Sequence, residues 1–281
     1  MKKNVWRLCI LAVLVSVAFI TVYPLIYIFL ASFKSNIEIL TNSSSIFPQE
    51  LTFENYISVC RSNDFNIFRM LWNSIYYTLI SVAIAITISS MAGYAFARGE
   101  FPFKKTIFAM FTALMFITTG GLDIYPKFKI LTALHLNRSL GALLFLKLFG
   151  VPIVNIYLVR GFVQSLPIEL DEAAQIDGCS FIGAFFKIIM PLLAPILATI
   201  GILSFQASWN DYIMPTIFTA TQPKQYTLIV GLMSLKNSGS AAANWNLILA
   251  GTVITLLPVL VAYGFGNRYF VSGLAAGAIK G

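Results

Sequence analysis

Charged residues are so sparse along this chain that five long stretches contain none: Leu8–Leu30, Met70–Ala97, Thr106–Leu122, Ile188–Asn210 and Asn237–Asn267. A sixth apolar stretch, Ser139–Val159, is interrupted only by Lys147. A bilayer core about 30 Å thick needs roughly 20 apolar residues per helix to cross it. The pattern therefore predicts six transmembrane helices, the last running from about Asn246 to Tyr269. Short connections fill the remainder, so the expected fold is all-α, one polytopic membrane protein.

Composition agrees, with 58% hydrophobic and 11% charged residues, values that belong to membrane proteins and to neither soluble nor disordered chains. Lys2, Lys3 and Arg7 precede the first apolar run in the manner of a secretion signal. That run is too long for a signal core and has no convincing small-residue cleavage pattern, so the expectation is an uncleaved first span. Cys9, Cys60 and Cys179 form no metal or redox spacing and predict no disulfide framework. His135, the single histidine, cannot build a histidine-rich metal site. The net charge of +8 does not imply nucleic acid, because the basic residues sit at the ends of apolar runs, where they anchor helices.

Orientation is poorly determined by charge. With the N-terminus inside, the inner side holds Lys2, Lys3, Arg7, Arg98, Lys104, Lys105, Arg160, Lys187, Arg268 and Lys280. The outer side holds Lys34, Arg61, Arg69, Lys127, Lys129, Arg138, Lys224 and Lys236, so the balance is ten against eight. The densely basic hairpin Arg98–Lys105 is the better guide and is expected to be cytoplasmic. The long loop 31–69, with its polar run TNSSS at 41–45, then faces outward, and the segment 160–187 faces the cytoplasm.

That last segment is unusual. The chain has 11 acids, and ELDEAAQID at 169–177 holds four of them, Glu169, Asp171, Glu172 and Asp177. Pro167 suits a helix's first turn, acids favour its positive end, and Gly178 suits the left-handed stop. Roughly three turns of helix are expected between them. Glu169 and Glu172 share one side, and Leu170, Ala173, Ala174 and Asp177 lie on the neighbouring one. Ser180 is expected to start a second short helix through Ile189, with Pro191 opening the next span. An ordinary solvated loop would also account for the charge.

The residues say more than that. Glu172-Ala173-Ala174, three residues, Gly178, nine residues, Ile188, one residue, Met190, Pro191 resembles the signature EAA-x3-G-x9-I-x-L-P of ABC importer permeases, Met190 replacing leucine. WNSIYYT at 72–78, GYAFAR at 93–98, LVRGF at 158–162 and SWNDYI at 208–213 resemble the carbohydrate-uptake, maltose-type branch, as do SFK at 32–34 and NY at 55–56. The resemblance covers essentially the whole chain. It implies a type I importer permease fold in which the loop 167–191 carries a cytoplasmic coupling helix. That helix, with Glu169, Leu170, Glu172, Ala173, Ala174, Asp177 and Gly178, would dock into a groove of a separate ATPase subunit, and the acids would stay in water or meet the partner's arginines. It further implies a second, homologous permease as heterodimer partner, two ATPase subunits, an extracytoplasmic solute-binding protein and a sugar substrate. The setting is the bacterial cell membrane, with both termini cytoplasmic. Residues 1–69 would form a first helix and outer loop, and 70–281 a five-helix permease core.

The chain has no G-x-x-x-x-G-K-[ST] phosphate loop, so it is not expected to be an enzyme; ATP and Mg belong to the partner ATPase subunits, and no cofactor or metal is expected here. An ion-coupled secondary transporter is the rival from another class, but such proteins carry partnered acids at mid-membrane and internal repeats, and no repeat relates the two halves. Permeases of other ABC importer classes share the same signature and stay open. Trp209, Asn210, Asp211 and Tyr212 follow the fifth apolar core and offer a sugar an aromatic face beside amide and carboxylate groups; an interfacial aromatic belt is the plainer reading. Trp209 and Tyr212 are spaced to share a helix face. Lys147 stands where the maltose-type proteins usually have an apolar residue or proline. It either snorkels to the outer surface or meets a water-filled path or the other permease. Lys127, Lys129 and Arg138 make the third outer loop unusually basic, suiting a binding-protein dock or attraction of an acidic glycan.

Overall fold

A computed structural model describes residues 2–61, 65–117, 121–136, 138–237 and 244–278, and among these every regular element is helical. Lys280 lies outside the described residues, as do the side chains of Lys2, Lys3, Lys236 and Arg268, so the expectations resting on them stop at the sequence.

The chain forms two compact units, Met1–Met70 with Leu228–Pro258, and Leu71–Thr227 with Val259–Gly281. Residues 228–258 group with the N-terminal segment and not with the residues that precede them. In the first unit, α1 (Lys2–Ala31) is apolar on all sides and leaves Trp6, Phe19 and Ile20 exposed, as a helix facing lipid does. Next, α2 (Asn36–Thr41) starts at Ser35, whose side chain accepts the Glu38 N–H, and α3 (Glu54–Arg61) follows. Asn55 is buried and ties the unit together. Its Nδ2 donates to the carbonyls of Ser32 and Lys34, both at 2.8 Å. Its Oδ1 accepts from Asn246 Nδ2 at 2.8 Å. Lys34 is fully buried between Glu38, at 3.8 Å, and the Ser45 carbonyl.

In the chain's middle run α4 (Ile67–Arg98), α5 (Lys104–Leu114), α6 (Ile124–Ala133), α7 (Leu140–Leu148), α8 (Ile153–Ser165) and α9 (Glu169–Ile176). The run continues with α10 (Phe181–Ala184), α11 (Met190–Leu192), α12 (Ala194–Trp209) and α13 (Ile213–Thr219). After them come α14 (Leu228–Asn237) and α15 (Trp245–Ala278). Among the described residues three helices are long and apolar enough to cross a membrane: Trp6–Ala31, Ile67–Arg98 and Trp245–Gly264. Two more candidates are bent pairs. The expected span Ser139–Val159 breaks at Gly150-Val151-Pro152 into α7 and α8, bent by 43°, because proline has no N–H to give and clashes with a continuing helix. The span expected over Ile188–Asn210 breaks at Leu193 by 78°, with a π-helical turn at Phe185–Ile189 before it. The stretch expected to cross at Thr106–Leu122 is helical only to Leu114; residues 118–120 lie outside the described set, and Gly121 takes a left-handed φ of +91°.

Two apolar cores hold the larger unit. One joins α4, α8, the π turn and α12 through Tyr94, Val159, Val163, Ile189 and Ile200. The other joins α4, α6, α7 and α13 through Tyr77, Leu131, Leu143 and Phe218. The first depends on close approach of two backbones. A Cβ built on Gly93 would stand 2.5 Å from Val159 Cγ1, 2.6 Å from Val159 Cβ and 3.1 Å from the Arg160 nitrogen. A β-branched side chain anchored at Cβ cannot swing clear. Gly93→Ala is therefore expected to destabilise by about 1–3 kcal/mol despite alanine's better helix propensity. A drop in the thermal unfolding midpoint of the purified protein measures it; an unchanged or raised midpoint contradicts the close approach.

Candidate functional site

Two polar clusters interrupt the apolar packing of the larger unit. The first is built where α4 ends. A 32-residue helix carries Tyr94 and Arg98 one turn apart on the same face, and both reach α9. Tyr94 Oη donates to Asp171 Oδ1 at 2.7 Å. Arg98 Nε donates to Asp171 Oδ2 at 2.9 Å, and its Nη2 to the Leu166 carbonyl at 2.7 Å. The side chains of Arg98 and Asp171 are 13% and 8% exposed, so this ion pair is largely out of water. Phe181 stacks on the Tyr94 ring with centroids 4.6 Å apart.

This pair corrects the sequence reading of the acidic segment. Asp171, expected with the other acids to stay in water or meet a partner's arginines, is bound by an arginine of its own chain. The expected neighbouring face also splits. Ala174 is 1% exposed and turned inward with Asp171, whereas Ala173 and Asp177 are exposed and Leu170 is partly buried. Inward positions at i and i+3 explain this: a short helix leaning on the protein must present small residues there or partnered ones. Glu169, Glu172, Ala173 and Gln175 face solvent, as does Ile176 at 87% exposure. The helix has 8 residues, a little over two turns and not three.

Its end is a hydrogen-bonded stop. Gly178 takes φ +79°; its N–H donates to the Gln175 carbonyl at 3.0 Å and the Cys179 N–H to the Ala174 carbonyl at 2.9 Å, a Schellman closure. Ser180 then starts α10, its Oγ accepting the Gly183 N–H at 3.1 Å. The expected helix through Ile189 forms as α10 plus the π turn.

The second cluster joins α4, α7 and α12. Lys147 Nζ donates to Ser81 Oγ at 2.9 Å and to Ser208 Oγ at 3.0 Å. It also lies over the Tyr77 ring, 4.4 Å from the centroid, within cation–π range. Tyr77 Oη in turn donates to Asp211 Oδ2 at 2.7 Å, and Asp211 Oδ1 accepts the Met214 N–H at 3.4 Å. Lys147 does not snorkel outward; two serines and an aromatic face hold it in place. Of the other expected pathway residues, Trp209 is buried, stacked on Phe205 with centroids 5.5 Å apart. Asn210 caps the end of α12 and Tyr212 precedes α13. Trp209 and Tyr212 therefore share no helix face, because α12 stops at Trp209. The stretch expected to be a basic outer loop is the helix α6, on which Lys127 pairs with Asp123 and Lys129 lies 5.4 Å from the Tyr125 ring centroid.

Broken and continuous apolar helices, with a short acidic helix pinned to the end of one of them, give the architecture of a multi-pass membrane protein. The chain matches the family described as binding-protein-dependent transport system inner membrane component over residues 105–274, and it belongs to that family. It is 33% identical to the arabinooligosaccharides transport system permease protein AraQ of Halalkalibacterium halodurans, over 94% of this chain and 93% of that protein. It is 34% identical to the sulfoquinovosyl glycerol transport system permease protein SmoH of Agrobacterium fabrum, over 92% and 89% respectively. Its fold matches a chain of a bacterial ABC transporter involved in import of the acidic polysaccharide alginate, with a TM-score of 0.82 at 22% identity, covering 96% of this chain and 98% of that one.

Proposed function

We propose that this chain is one permease subunit of an ATP-driven importer that carries a sugar or oligosaccharide into the cytoplasm. In this reading a second, homologous permease completes the pathway, an extracytoplasmic binding protein delivers the substrate, and two separate ATPase subunits dock on the cytoplasmic side, where both termini also lie. The observation that carries it is the two-sided α9. One side is fastened to α4 through Asp171, and the other offers Glu172, Ala173, Gln175 and Ile176 to whatever lies beyond. The relatives' transport of arabinooligosaccharides and sulfoquinovosyl glycerol supports a glycan cargo.

Mechanically, a short helix transmits a push only if it cannot rotate on its mount. The Arg98–Asp171 pair and the Tyr94 hydrogen bond fix α9 to the end of a helix long enough to cross the bilayer. Closure of the ATPase pair would draw α9 inward and lever α4 with it, switching access from one side to the other. Transmission along the chain after α9 is not through one straight rod, because the π turn and the 78° bend intervene. Those breaks suit a joint better than a strut.

Two measurements test the proposal. In proteoliposomes holding the full assembly, uptake should require internal-face ATP and ignore ionophores that collapse ion gradients; dependence on a gradient instead would make the protein a secondary transporter. An Ala173→Cys chain, with Cys9, Cys60 and Cys179 replaced by serine, should crosslink to the ATPase subunit in native membranes. Glu172→Lys should remove that subunit from the purified complex. A Glu172→Lys variant that copurifies normally, with no crosslink at 173, would overturn the docking assignment.

A further inference from the structure

The second polar cluster opens on a cavity of about 290 Å³ whose polar lining is Ser81, Lys147, Asn155, Ser204 and Ser208. Its remaining wall is apolar, including Ile84, Ile88, Val151 and Pro152. The hydrogen-bond directions are informative. An ammonium donates and never accepts. The oxygens of Ser81 and Ser208 are therefore acceptors toward Lys147, which leaves both hydroxyl protons directed elsewhere. Asn155 reaches Ser204 with its Nδ2 donor, at 3.5 Å. Lys147 serves the two serines and lies over the Tyr77 ring, so its positive charge stands at the cavity wall. Among the described residues no carboxylate lines this cavity. Asp211 is bonded to the Tyr77 hydroxyl and lines a neighbouring cavity together with Tyr77, Lys147 and Gly150. One cavity thus presents a positive charge and a set of donors beside apolar walls, while the Asp211 carboxylate lines the neighbouring cavity and accepts from Tyr77.

Resting on the permease reading above, we propose that this cavity is a transit site for a carboxylate-bearing sugar unit, a uronate, whose carboxylate replaces none of the protein's own pairs and takes the hydroxyl protons of Ser81 and Ser208 beside the Lys147 ammonium. The apolar wall takes the C–H face of the ring, as carbohydrate sites do with apolar and aromatic surfaces. A neutral sugar would give the two serine protons beside Lys147 only neutral acceptors, and hydrogen bonds with a charged partner are the stronger ones. The site then selects charge at the permease itself, after delivery.

The test uses the complete importer in nanodiscs, with digalacturonate and its uncharged dimethyl ester as probes in equilibrium binding. The acid should bind on the order of ten- to a hundredfold more tightly than the ester, the range expected for hydrogen bonds to a charged group. That preference should shrink as salt rises. Lys147→Gln should remove the preference, while Lys147→Arg keeps part of it. Equal binding of acid and ester by the wild-type assembly overturns the proposal even if no variant folds. ATP hydrolysis stimulated by the loaded binding protein is measured on the same wild-type sample. Stimulation without acid preference sinks only the uronate site, whereas absence of stimulation sinks the permease reading beneath it.

Discussion

With α9 as the proposed dock, Asp171→Ala should produce a permease that neither retains an ATPase subunit nor transports. The substitution removes both acceptors of the Tyr94 and Arg98 side chains. It leaves a guanidinium that is 13% exposed with only the Leu166 carbonyl for company. Breaking a buried pair by deleting one partner costs about 3–5 kcal/mol. The surviving carbonyl bond argues for the lower end, about 3 kcal/mol. Much of that loss falls on the mounting of α9, because Asp171 is the residue through which α4 holds it. Asp171→Asn separates shape from charge. It keeps an acceptor for Tyr94 but gives Arg98 no anion, so it should fall between alanine and wild type. Copurification of the ATPase subunit, uptake, and the unfolding midpoint measure these three levels. Wild-type assembly and transport by Asp171→Ala would mean that α9 is held by something else.

A change with no lost contact at all should be nearly as damaging. At Gly178 an added Cβ would meet nothing within 4 Å, so crowding gives no reason against a side chain. The backbone does, since φ is +79°, a left-handed conformation costing most residues roughly 1–2 kcal/mol and worst tolerated by β-branched ones. Gly178→Val should unwind the Schellman closure and let α9 swing on its C-terminal side. Binding-protein-stimulated ATP hydrolysis should then continue without uptake, or stop because the subunits no longer dock. Gly178→Asn has more bulk than alanine yet accepts the left-handed region, so it should stay close to wild type. Equal failure of the Val and Asn variants would locate the requirement in the partner's surface and not in this turn.

Much of this architecture is legible in the residues alone. Long charge-free stretches mark the helices at Trp6–Ala31, Ile67–Arg98 and Trp245–Gly264, because only hydrophobic length decides what crosses lipid. Gly178 and Ser180 mark the limits of the short helices through local backbone preferences, and α9 closes and α10 begins there, while α9 starts two residues after Pro167. Breaks inside apolar stretches are invisible to a count of charges: α7 parts from α8, and α12 bends from its lead-in, without any loss of hydropathy. The identity of the inward acid is also hidden. Asp171 and Glu172 are chemically alike and adjacent, and only the position of Arg98 distinguishes them.

The motifs that mark the family are each other's partners. In GYAFAR, Gly93 admits Val159 of LVRGF, while Tyr94 and Arg98 grip the acidic helix. In WNSIYYT, Tyr77 binds Asp211 of SWNDYI, whose Ser208 holds Lys147. Ser32 and Lys34 of SFK accept at their carbonyls from Asn55 of the NY pair. By itself the sequence determined that this is a helical membrane protein with a short acidic helix, because hydropathy, proline, glycine and caps act locally along the chain. Only the tertiary structure decided that Asp171 faces inward, that Lys147 is held and not snorkelled, and that residues 228–258 return to the N-terminal unit. Each of those outcomes depends on which distant group arrives within hydrogen-bonding or van der Waals reach, and pattern along a single chain carries no distance between its parts.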